Sequence, residues 1–149
     1  MKSGKLMAAA LVAAVMAVAS TQPSTAAQKP RSADIVIRHD NGGSVVSYAQ
    51  RVTRARQQNL SVRISGSCQS ACTLFLSLPE AQTCITPGAS FGFHRAHSAS
   101  RQNNDWGTSY LLKKYPNWVR QWIAAKGGLK SRIIRMDYAY ASRFMQRCA

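Results

Sequence analysis

Three groups of residues in this chain could act together on a carbonyl. The first is Ser70, in the run Gly66-Ser67-Cys68-Gln69-Ser70-Ala71-Cys72. A serine hydroxyl is a poor nucleophile until a neighbouring base takes its proton. Where a helix opens at the serine, unpaired N–H groups of the first turn, beginning with that of Ala71, face the space in front of the hydroxyl. The second group is Asn41-Gly42-Gly43, whose Gly43 N–H offers a second donor for a developing oxyanion. The third is His94, closing the run Ser90-Phe91-Gly92-Phe93-His94, as the base. His97, in the polar segment that follows, is the reserve candidate, and His39 is the remaining histidine. Each piece also has an ordinary reading: a serine caps helices, Gly-Gly makes turns, and a histidine at a strand end can be structural.

Strand ends must hold such groups. Residues 34–38 form a short β-rich run, broken by Asn41-Gly42-Gly43. Over residues 44–58, Val45, Ala49, Val52 and Ala55 recur at helical spacing. Residues 60–64 alternate as a second strand, and Ser65-Gly66-Ser67 is read as a turn. Strand, helix and strand in that order predict a parallel pair. Residues 71–78 are apolar on nearly all sides, which predicts a buried helix. Short strands are expected over 81–85 and 90–94, and a loop over 95–104. A long helix is predicted over 106–125, interrupted at Pro116 and stopped by Gly127-Gly128, then a basic helix over 129–136. Tyr115, Trp118 and Trp122 share one helix face. They are read as packing on the sheet, with a partner or a second copy of the chain as the alternative.

The chain has 149 residues and a formal charge of +15. Lys2 and Lys5 precede an apolar run over residues 6–18, too short for the roughly 20 residues that cross a bilayer. Ala17-Val18-Ala19 and Thr25-Ala26-Ala27 fit cleavage after small side chains, so residues 1–27 are read as a signal peptide and 28–149 as the domain. The protein is then expected to be periplasmic or secreted. Cys68, Cys72, Cys84 and Cys148 would meet an oxidising compartment. Three pairings are open; the one favoured joins Cys72 to Cys84, pinning the helix after Ser70 to the sheet, and Cys68 to Cys148. The spacing lacks the paired C-x2-C of a zinc site, so no metal is expected, and nothing calls for a cofactor. Five acidic residues exclude a carboxylate-rich calcium cage. The basic charge suggests an anionic partner such as an envelope polymer, while no nucleic-acid-binding motif is present.

The order strand, Gly-Gly, helix, strand, Gly-x-x-x-Ser, buried helix, Pro-Gly, strand, His resembles the Clp protease proteolytic subunit and the wider crotonase-like superfamily. The stretches Gly66 to Leu76 and Pro87 to Ala96 are similar to those of small exported bacterial members. That resemblance implies an α/β fold: a compact Clp/crotonase-like parallel-sheet core with a C-terminal helical cap. It also implies Ser70 as nucleophile, His94 as general base, and the Gly43 and Ala71 N–H groups as oxyanion hole. The Clp protease adds an aspartate from a later region. Asp105 and Asp137 lie downstream here, and Asp137 is nearer the expected distance, in surroundings that do not match. Two functions follow: an exported serine hydrolase acting on peptide or protein substrates through a Ser-His pair, or a non-catalytic basic module of the same fold that contacts anionic envelope polymers or a protein partner.

Overall fold

The computed structural model describes residues 33–149, so the signal peptide read in residues 1–27 lies outside the described residues. Alternation in β2 (Val62–Gln69) organises the rest: Val62, Ile64 and Cys68 are buried on one face, while Arg63, Ser65 and Ser67 stay half-exposed on the other. β1 (Ile35–Asp40) pairs in parallel along one edge of β2. Two strands share the other edge. β3 (Thr83–Ile85) takes residues 62–64, and β4 (Ser90–Phe93) takes Ser67 to Gln69. The exchange of partners falls at a bulge. Ile37 pairs with Ile64 but His39 with Ser67, so β2 carries one extra residue there. Gly66 occupies it, and a Cβ on Gly66 would collide with the Arg38 carbonyl. The segment read as a turn is therefore a kink in a strand that continues to the site.

Helices cover the buried face. α1 (Val45–Gln57) buries Tyr48, Val52 and Ala55, with Ser44 accepting from Ser47 N at its start. A 3₁₀ helix, Ser70–Ser77, is buried from Ala71 to Leu76, as its all-round apolar sequence requires. A short 3₁₀ turn, Glu80–Gln82, leads into β3. α2 (Arg101–Lys114) begins earlier than its apolar pattern suggests, because Ser100 caps it by accepting from Asn103 N. After Pro116 the chain continues as α3 (Asn117–Ala125). Two of the three aromatics of the stripe pack inward: Tyr115 and Trp122 meet Phe93 at 5.5 and 5.6 Å between ring centroids, while the half-buried Trp118 stacks on the exposed Phe144 at 5.0 Å.

Two expectations are corrected past residue 129. No basic helix forms there; instead β5 (Ile134–Asp137) runs antiparallel to β4. The burial of Ile134, Arg135, Met136 and Asp137 alternates, a period of two that four arginines and lysines nearby obscure. The sheet is thus mixed, and the C-terminal part is not purely helical. A short α4 (Tyr138–Ala141) and β6 (Gln146–Arg147) complete it, β6 pairing in parallel with β3.

All four cysteines are bonded, in a different pairing from the one favoured above: Cys68–Cys72 and Cys84–Cys148, with Cα separations of 5.4 and 4.9 Å. Cys68 and Cys72 are both fully buried, and the first 3₁₀ turn folds Cys72 back over Cys68. Cys84 lies between the buried Thr83 and Ile85, so its side chain points to the opposite face and meets the tail that β6 delivers. Among the described residues no helix is long and apolar enough to cross a membrane.

Candidate active site

Ser70 follows the last residue of β2 and opens the 3₁₀ helix with φ = +56°. This left-handed conformation costs a non-glycine residue roughly 1–3 kcal/mol unless its surroundings impose it. Three features hold it: the Cys68–Cys72 bond straddles the turn, the buried helix fixes its far side, and Thr73 Oγ1 donates to the Ser70 carbonyl at 2.5 Å. Thr73 also hydrogen-bonds the Tyr115 hydroxyl at 2.6 Å. Burial pushes the Tyr115 phenol well above its ordinary pKa, so it stays a neutral partner.

The Asn41-Gly42-Gly43 loop rests directly on this turn. A Cβ on Gly42 would meet Gln69 O at 2.5 Å, Ser70 Cβ at 2.7 Å and Ala71 N at 2.8 Å, and its φ is +82°. Only glycine fits there. Asp40, at the end of β1, sets the loop. Its Oδ1 accepts from Gly42 N at 2.8 Å and from the Tyr48 hydroxyl at 2.5 Å, and its Oδ2 lies 3.8 Å from Arg51. Burial, then the bond to Asp40, raises the Tyr48 pKa, which keeps that hydroxyl a donor. With Gly42 N committed to Asp40, the Gly43 N–H has no partner among the described residues. Ala71, second in its 3₁₀ helix, has no carbonyl behind it within that helix for its N–H.

His94 leaves the end of β4 and faces the same cleft as Ser70, Gly42 and Gly43, a hollow of about 650 Å³. Its Nδ1 lies 2.7 Å from the Arg95 carbonyl. A carbonyl only accepts, so Nδ1 donates there, which leaves Nε2 as the ring nitrogen available to take a proton. No hydrogen bond joins Ser70 Oγ to His94 among the described residues. His97 lines the same cleft. The loop bearing both histidines is tied to α2, where Thr108 Oγ1 accepts from Ala96 N at 3.0 Å.

Asp137 stands apart. It pairs with Ser90, at the far end of the β4–β5 ladder from Phe93 and His94, about 13 Å along the strand at 3.3 Å per residue. Its Oδ1 accepts from Tyr140 N at 2.9 Å, so it caps α4 and does not orient His94; a backbone carbonyl does that. Sequence reasoning missed Asp40 as the residue that fixes the glycine loop. The signal was available, because an aspartate two residues before a glycine commonly accepts that glycine's N–H. No protein-family model and no curated protein matches the chain.

Proposed function

We propose that this chain is an exported serine hydrolase of Clp/crotonase-like type that cleaves peptide bonds. Ser70 is the nucleophile, His94 the base, and Gly43 N–H with Ala71 N–H the oxyanion donors. Ser70 Oγ attacks the substrate carbonyl carbon as its proton passes to His94 Nε2. The two N–H groups receive the charge that moves onto the oxygen. Collapse expels the amine, which takes the proton from His94. Water, deprotonated by the same ring, then releases the acyl group.

The observation that carries this reading is the left-handed Ser70 at a helix start, sharing one cleft with a histidine whose Nδ1 is already spoken for. Two disulfides suit an oxidising compartment and support export. The second reading is a basic binding module without catalysis, reaching anionic envelope polymers or a protein partner. The arginines on the outer face of the sheet, Arg38 and Arg135 among them, favour it. Reaction with a fluorophosphonate probe separates the two. Labelling lost in Ser70→Ala and strongly reduced in His94→Ala supports the hydrolase; no labelling of the parent protein leaves the module.

A further inference from the structure

Trp106 belongs to the walls of three separate hollows, including the cleft of Ser70 and a groove of about 560 Å³ between α1 and α2. It is 50 % exposed, and Val46, which also borders both cleft and groove, is 51 % exposed. Large apolar side chains left this open around a concavity mark a binding surface. Trp106 does not flop freely there, since Tyr110 stacks under it at 5.4 Å with an interplanar angle of 26°. A rigid indole backed by a second ring presents a flat apolar platform.

The walls of the cleft carry two histidines and no permanently charged side chain. Among the described residues lining it there is no lysine, arginine, aspartate or glutamate, and Arg54 alone is charged along the groove. In a chain of formal charge +15 this segregation leaves a polyanion no lysine or arginine to pair with on these walls. What the walls offer instead is amide and hydroxyl groups. Asn104 is half-buried; its Nδ2 donates to Ser98 O at 3.1 Å, and its Oδ1 is buried without a partner. The Asn41, Ser44, Ser98 and Asn103 side chains on the same walls can exchange hydrogen bonds with a peptide backbone.

We infer that the cleft and groove together bind an extended, uncharged peptide that lays an aromatic or large aliphatic side chain on Trp106 against Val46. This rests on the hydrolase reading for its catalytic consequence and on the groove alone for its binding. The main chain crosses the Ser70 end of the cleft, and the apolar side chain sits beyond it in the groove between α1 and α2.

The test is a titration of the ¹⁵N-labelled full chain, disulfides intact, carrying Ser70→Ala. The probes are N-acetyl-Phe-Ala-amide and N-acetyl-Gly-Ala-amide. The indole N–H signal of Trp106 should move with the phenylalanine peptide, which should bind about tenfold tighter than the glycine peptide. Trp106→Ala should erase that preference, and Val46→Ser, on the facing wall, should reduce it. The indole signals of Trp118 and Trp122 report that each variant is folded. A preference that survives both substitutions, or no movement of the Trp106 signal, overturns the inference. Fluorophosphonate labelling of the parent chain is measured alongside. Labelling without Trp106-dependent binding removes the peptide site and keeps the hydrolase. Trp106-dependent binding without labelling removes the hydrolase and keeps the peptide site.

Discussion

Two Ser-His pairs lie at the same end of β2, and they differ in instructive ways. Ser67 Oγ is 2.5 Å from His39 Nδ1, a short hydrogen bond in plain view on the outer face of the sheet. Ser70 and His94 make no such bond, yet they share a cleft. The first contact follows from strand register, because His39 and Ser67 are direct partners across β1 and β2. Ser67 lies inside β2 beside the Gly66 bulge, its backbone is not left-handed, and no helix starts at it. Ser70 has a left-handed backbone, a free N–H behind it, Gly42 packed on its Cβ and a disulfide across its turn. A ground-state hydrogen bond is the weaker criterion for a nucleophile. Catalytic contacts often tighten only when substrate is bound, whereas donors aimed at a developing charge must be built in advance.

The sharpest way to break this contrast is to exchange the serines. Ser70→Ala should lower labelling and ester hydrolysis by at least about 10³-fold, while Ser67→Ala should stay within about twofold, measured as kcat/KM. The reverse pattern would make the outer-face pair the site. The two disulfides give a second contrast. By the chain-entropy model, replacing Cys84 and Cys148 by serine should cost about 4 kcal/mol in denaturant unfolding, and replacing Cys68 and Cys72 about 2 kcal/mol. Activity should rank the other way, since only the shorter bridge holds Ser70: about tenfold or more lost from kcat without Cys68–Cys72, little without Cys84–Cys148. Equal losses of activity would show that Ser70 keeps its conformation unaided.

Asp40→Ala frees the Gly42 N–H and the Tyr48 hydroxyl together. It should destabilise the fold by about 1–3 kcal/mol and lower kcat with little change in KM. An unchanged kcat would mean that the glycine loop holds its shape without Asp40. The smallest effect is expected at Asp137. Asp137→Ala removes the α4 cap at a cost of about 0.5–2 kcal/mol and leaves the rate of labelling unaltered. A labelling rate that falls tenfold would restore Asp137 to the site.

Much of the positioning framework was legible in the residues. Alternating and helical periods located β1, α1, the first half of β2 and the interrupted helix, because each of those segments buries one face and keeps the other wet. Beyond them the local signal misled. Gly66 looks like a turn residue, yet it serves a close approach of backbones whose partner strand is 28 residues away. The strand over Ile134–Asp137 carries a basic surface that hides its period, and only pairing with β4 makes it a strand.

From types and spacing alone, the chain determined that Ser70 follows a strand, that His94 ends another, and that glycines stand where a backbone must bend or crowd. Those are local matters, set by sterics and by apolar period within a few residues. Tertiary structure decided which cysteines meet, that a carbonyl and not Asp137 holds the His94 ring, and that a cleft whose described walls carry no permanently charged side chain opens in a strongly basic chain. Each of these depends on which faces of distant segments are turned toward one another. Strand pairing sets that orientation, and the change of partner along β2 falls at its bulge.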